Sequence, residues 1–166
     1  MRKELTNEME VAASADKIWA VYSSPNLPKL IVELLPTVFD RIDIIEGDGG
    51  VGTVLYILSP PGSVPLSYKE KFVTIDNEKR LKEVQQIEGG YLDMGVTYYM
   101  DSFHILEKGP DSCIIKSTTT YEIKDELADK VSSLITIDSL VGMAKAISKY
   151  VLDQKKSRFR SFCVII

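Results

Sequence analysis

The chain has 166 residues, is 45% hydrophobic and 27% charged, and carries a formal net charge of −4. This is the composition of one globular domain with a sizeable core, and it excludes a protein drawn to nucleic acid by a global positive field. A single histidine, His104, and two widely separated cysteines, Cys113 and Cys163, argue against a His-based triad, a multi-histidine metal site and a disulfide scaffold.

In chain order, residues 4–13 (ELTNEMEVAA) read as a first strand. Ser14 then caps a short helix, with Asp16 in its first turn and Ile18, Val21 and Tyr22 at i, i+3, i+4 spacing; Pro25 ends it. A second short helix is expected over 28–35, stopped by Pro36. Residues 37–46 and 53–58 read as strands around a glycine-rich turn, and SPPGSVP is a loop. Four more strands follow: LSYKEKFVTI, RLKEVQQIE, GVTYYMDSFHILE and SCIIKSTTTYEI, joined by DNEK, GGYLD and KGPD, which carry turn chemistry. Seven strands in sequential antiparallel order result. A long helix over about 125–155 closes the chain, with Leu127, Val131, Leu134, Leu140, Ala144, Ile147 and Val151 as its apolar stripe. The stripe slips phase around TIDS, which predicts a bend there.

The predicted fold class is α+β: a seven-stranded curved antiparallel sheet wrapped around a long C-terminal helix, with two short helices after the first strand. Such a sheet and helix can enclose a cavity for small molecules. One cavity-bearing domain is expected over 1–156, followed by a flexible tail over 157–166. The opening MRKELTNEMEV carries no apolar run of the signal-peptide kind, so a cytoplasmic location is expected.

The stretch EGDGGVGT spells G-x-G-x-x-G through Gly47, Gly49 and Gly52. A dinucleotide site would need a helix directly after it, because the helix N-terminus holds the pyrophosphate. A β-branched strand follows instead, and Glu46 and Asp48 would repel phosphate. The glycines therefore read as a hairpin connection that needs positive φ or close packing.

Alternation along the strands selects candidate site residues. Tyr68, Glu70 and Phe72 share one face of their strand; Lys82 shares a face with Val84; Asp101 shares a face with Tyr99, Phe103 and Ile105. The aromatic side chains mark these faces as inward. A lysine and two carboxylates thus converge on an apolar wall, as either a functional site or a structural ion network.

The segments EGDGGVGT, YKEKF, DSCIIKSTTTYE and MAKAISKYVL make the chain resemble the pathogenesis-related class ten, or birch-pollen-allergen, family. Within it, ELTNEMEVAASADKIWAVYSSP, GDGGVGTVLYI, RLKEVQQIEGGYLDMGVTYYMD and GPDSCIIKS are most similar to the norcoclaurine synthases of plant benzylisoquinoline alkaloid biosynthesis. The resemblance covers about residues 4–156. It implies a seven-stranded sheet gripping a long helix around a deep pocket. It also implies catalytic roles for Tyr68, Glu70, Lys82 and Asp101 in a Pictet–Spengler condensation of dopamine with 4-hydroxyphenylacetaldehyde, with no metal or organic cofactor. A buried Lys82 of lowered pKa would donate the proton for water loss, Asp101 would stabilise the iminium, and a desolvated Glu70 would act as base. The competing expectations are a non-catalytic carrier of small hydrophobic plant metabolites and another alkaloid-pathway enzyme on the same scaffold. A monomer or weak dimer is expected.

The end of the chain, Cys163-Val164-Ile165-Ile166, has a C-a-a-X pattern with Lys155, Lys156, Arg158 and Arg160 upstream. It reads either as a prenylation signal that would hold the protein at a membrane or as an apolar tail of the same spelling.

Overall fold

Seven strands that alternate inward and outward side chains build one sheet. They are β1 (Arg2–Val11), β2 (Arg41–Glu46), β3 (Val54–Leu58), β4 (Ser67–Asp76), β5 (Leu81–Gly89), β6 (Val96–Gly109) and β7 (Ser112–Ile123). The computed structural model describes the backbone of residues 1–165 and the side chains of residues 1–157. The expectation about Cys163 falls outside the described side chains.

The spatial order is β1-β7-β6-β5-β4-β3-β2, antiparallel throughout. This corrects the sequential order in one place: β1 pairs with β7, in register from Arg2↔Glu122 to Val11↔Cys113. The helices α1 (Ala15–Tyr22) and α2 (Leu27–Leu34) lie between β1 and β2 in the chain, so no tight turn can hold those two strands together. They carry the backbone across the concave side to the far edge. The Ser14 hydroxyl accepts from Lys17 N at 3.2 Å and caps α1, as its side-chain type predicts.

The C-terminal helix is interrupted rather than bent. Its first part, α3 (Asp125–Val131), passes into a 3₁₀ turn at Ser132–Leu134 and then an extended Ile135 with ψ 114°. The second part, α4 (Asp138–Ile165), restarts where the Thr136 hydroxyl accepts from Asp138 N. Leu134 is accordingly not in the apolar stripe: it is 46% exposed, and Ile135 takes the buried position instead.

The core divides in two. One cluster packs Leu140, Met143, Ala144, Ile147 and Val151 of α4 against the concave sheet and α1. Burying a side chain such as Ile147 contributes roughly 1.5–3 kcal/mol. The second cluster sets Ala128 and Val131 of α3, with Ile135, against Val96, Tyr99, Tyr121 and Ile123. On β6, Tyr99 belongs to the second cluster and Phe103 to the first, so the residue between them on that face, Asp101, sits at the seam.

The glycine turn is a hairpin connection between β2 and β3. Gly49 has φ +99°, and a Cβ there would lie 2.7 Å from Pro25 Cα, directly after α1. Its N–H donates to the buried Thr53 hydroxyl at 2.9 Å. Gly49 therefore lets the hairpin close on the link between α1 and α2. Gly49→Ala combines a positive φ with a backbone collision, and it is expected to lower the unfolding free energy by about 1–3 kcal/mol. Gly52→Ala, also at positive φ but with open space at the Cβ, should lose less. Urea unfolding of both variants checks this; equal losses would show that contact with Pro25 does not matter.

Candidate active site

The four residues selected by alternation come from three adjacent central strands: Tyr68 and Glu70 from β4, Lys82 from β5 and Asp101 from β6. All four line one cavity. Register explains the convergence. Phe72, Val84, Asp101 and Thr119 form one cross-strand row, and Lys82, Phe103 and Ser117 form the next. Lys82 and Asp101 are thus diagonal neighbours on the concave face. A bulge in the β4–β5 ladder leaves Ile87, on the outer face, without a partner, while Gln86 shares the buried face of Lys82 and Val84.

The opposite wall is made by α2 through Leu27, Pro28 and Ile31 and by α4 through Leu140 and Met143, with Phe39 and Ile42 at the side. The enclosed volume is about 70 Å³. A larger groove of about 1360 Å³ runs outside, between α1, α2 and α4, but its rim carries exposed lysines such as Lys17 and Lys29 and no buried ionisable group. The chemistry belongs to the internal cavity.

Lys82 is 1% exposed. Its Nζ donates to the Tyr22 carbonyl at 3.0 Å and lies 4.0 Å from the centre of the Phe72 ring. Tyr22 is the last residue of α1, so its carbonyl is one of those that the helix leaves unpaired. The ammonium satisfies it and meets the negative end of the helix dipole. Burial outweighs these attractions and the neighbouring Glu70 charge, and brings the Lys82 pKa down from 10.5 to about 8.

The carboxylates move the other way. Burial, then the charge of Asp101, raises Glu70 from 4.5 to about 8, against the opposing pull of Lys82. Burial raises Asp101 to about 7, against a hydrogen bond from the Thr119 hydroxyl, which donates to Asp101 Oδ1 at 2.7 Å. The phenol of Tyr68 is pushed well up, by burial first and then by Glu70, Asp101 and Tyr91. Among the described residues neither carboxylate forms a contact ion pair with Lys82. The charges face a shared space, so a guest in that space feels all of them.

Three ionisable groups with pKa values brought near neutrality in an apolar cavity can donate a proton, accept one and stabilise a cation. Among the described residues, no group of His, Cys, Asp and Glu is disposed to hold a metal ion. Sequence reasoning missed the Tyr22 carbonyl, the Phe72 ring as a partner of Lys82, and Thr119. Only Thr119 left a signal, as a hydroxyl on the inward face of β7. Tyr91, on the 3₁₀ turn Gly90–Met94, stacks on Tyr99 at 5.1 Å and adds a third phenol beside Asp101. Gly90 allows that turn, since a Cβ there would strike the Gln86 amide at 2.7 Å and Tyr68 Cβ at 2.9 Å.

The raised carboxyl at Glu70 has a consequence for stability. Between 4.5 and about 8 the folded chain holds a proton that the unfolded chain releases, so stability falls as pH rises through that window. Glu70→Gln keeps the shape and removes the ionisation. It is expected to match the parent below about pH 4 and to exceed it increasingly up to about pH 8. Urea midpoints across this range check it; a variant less stable than the parent at the upper end would contradict burial as the dominant cause.

The comparisons with known proteins agree with this geometry. The sequence profile of the Pathogenesis-related protein Bet v 1 family matches residues 1–154. The chain is 58% identical over 160 residues to S-norcoclaurine synthase 2 of Papaver somniferum, across 96% of this chain and 69% of that protein. It is 46% identical over 158 residues to norbelladine synthase of Narcissus pseudonarcissus, across 95% of this chain and 96% of that one. Among solved structures, the norcoclaurine synthase of Thalictrum flavum in complex with dopamine and hydroxybenzaldehyde matches with a TM-score of 0.88 at 56% identity, covering 92% of this chain and 88% of that one. With its sheet, its whole cavity and most of its interrupted C-terminal helix inside the matched span, the chain belongs to the Bet v 1 family of pathogenesis-related proteins.

Proposed function

We propose that the chain is a norcoclaurine synthase that condenses dopamine with 4-hydroxyphenylacetaldehyde by a Pictet–Spengler reaction. The observation that carries this reading is a buried lysine facing two carboxylates across one cavity, in a chain so similar to norcoclaurine synthases.

The reaction divides among the residues by charge. The dopamine amine adds to the aldehyde carbon to give a carbinolamine. The Lys82 ammonium, with a pKa near 8, is mostly protonated at neutral pH and acidic enough to give its proton to the carbinolamine oxygen. Water leaves and an iminium cation remains. The Asp101 carboxylate stabilises that cation in surroundings where little water screens the attraction. The catechol ring then attacks the iminium carbon, forming the new carbon–carbon bond. Glu70, whose pKa near 8 leaves only part of it ionised at neutral pH, acts in its carboxylate form: it accepts the ring proton, which restores aromaticity, and that proton then returns to the Lys82 amine and resets both groups. The Tyr68 hydroxyl shares the wall with Glu70 and orients the catechol by hydrogen bonding.

The cavity volume of about 70 Å³ is small beside the roughly 300–1,000 Å³ of typical small-molecule sites. Substrates therefore enter by displacing part of the wall.

Dopamine and 4-hydroxyphenylacetaldehyde incubated with the protein should give norcoclaurine in clear enantiomeric excess by chiral chromatography. Racemic product at the background rate would refute the enzyme reading and leave a carrier. Lys82→Ala is expected to lose about a hundredfold or more in kcat while keeping the parent's circular dichroism. A parent-like rate in that variant would remove Lys82 from the mechanism.

A further inference from the structure

The inward face of β7 is apolar except at two positions. Its buried side chains run Cys113, Ile115, Ser117, Thr119, Tyr121, Ile123, and both hydroxyl residues are fully removed from solvent. A buried hydroxyl is destabilising unless it finds a partner. Thr119 donates to the Asp101 carboxylate at 2.7 Å, with the Tyr99 phenol as a second polar neighbour of the same hydroxyl. Asp101 and Thr119 are paired across the β6–β7 ladder, so the sheet itself sets the two side chains next to each other. The branched Cβ of threonine restricts χ1 and holds the hydroxyl on that line. Ser117 is the internal contrast: it is paired with Phe103, and its hydroxyl has no partner.

We propose that Thr119 is a positioning residue of the condensation, whose hydroxyl fixes the Asp101 carboxylate in the orientation and charge state that the iminium requires. This rests on the function proposed above. A threonine hydroxyl has one proton to give, and a carboxylate oxygen accepts it more strongly than the oxygen of a neutral carboxyl does. The bond therefore favours the ionised carboxylate in a place where burial opposes ionisation. Tyr68 and Glu70 of β4, Lys82 of β5, Tyr91 of the 3₁₀ turn and Tyr99 of β6 surround the pair. An ionised Glu70 works against a second negative charge here and Lys82 works for it. Thr119 does not titrate itself, so its effect follows the ionisation of Asp101 and fades as that carboxylate takes up a proton.

Three variants of the full chain test this. Thr119→Val keeps the shape and loses the donor, Thr119→Ser keeps the donor, and Ser117→Ala removes the unpartnered hydroxyl one row away. The readouts are kcat and KM against pH, and the carboxyl ¹³C resonance of Asp101 titrated without substrate. Thr119→Val is expected to lose about tenfold or more in kcat with KM changed less than about twofold. Both the acid limb of its profile and the Asp101 titration should move to higher pH. Thr119→Ser should recover most of the rate and the titration, and Ser117→Ala should match the parent. Parent-like kcat, pH profile and Asp101 titration in Thr119→Val would overturn the proposal. In the parent, the Thr119 hydroxyl proton should exchange slowly and lose its protection as Asp101 protonates. A rapidly exchanging proton would overturn the proposal even if Thr119→Val does not fold. If the parent gives only racemic product, the enzyme reading fails, while the Asp101 titration still decides whether Thr119 controls that carboxylate.

Discussion

Lys82 Nζ donating to the Tyr22 carbonyl is the contact on which the cavity depends. It joins residues 60 positions apart, the end of α1 and the middle of the sheet. The helix end supplies an unpaired carbonyl and a partial negative charge, which let an ammonium stay where solvent does not reach. The Phe72 ring adds its π face on the other side. Without such partners a lysine this deep would be strongly destabilising. With them it remains in place, but with its proton held loosely enough to give away.

Lys82 is set within the first apolar cluster, and Asp101 sits at the seam between the two. On β6 the inward residues run Tyr99, Asp101, Phe103, from one cluster through the site to the other. The clusters exclude water on both flanks and so displace the pKa values of Glu70, Lys82 and Asp101 toward neutrality by burial. Each of the three is kept in an environment that disfavours its charged form, so the chemistry is gained at some expense of stability, as is common at functional sites. The interrupted C-terminal helix, which lets α3 and α4 pack on different clusters, is the structural counterpart of that division.

Much of this was legible in the sequence because it depends on period two. The strands of Tyr68, Lys82 and Asp101 declare their inward faces through the aromatic and branched residues beside them, and the glycine turn declares itself by the strand that follows. What alternation cannot reveal is pairing between distant segments. β1 finds β7 across more than a hundred residues, and nothing local in ELTNEMEV says so. The carbonyl that holds Lys82 has no side-chain signature at all. Alternation puts Thr119 on the inward face with Ile115 and Tyr121, apart from Thr118 and Thr120, but only the β6–β7 register places it opposite Asp101. Leu134 misled because it kept helical spacing across a stretch where the helix stops.

Burial converts Lys82 into an acid usable at neutral pH. Labelling the lysine side chains with ¹³C and following the Lys82 Cε resonance against pH in the intact protein, without substrate, tests this directly. The account predicts a titration midpoint near 8, well below the ordinary lysine value of 10.5. A midpoint at the ordinary value, or above it, would mean that the helix end, the Phe72 ring and Glu70 outweigh burial, and the proposed proton donor would have to be another group.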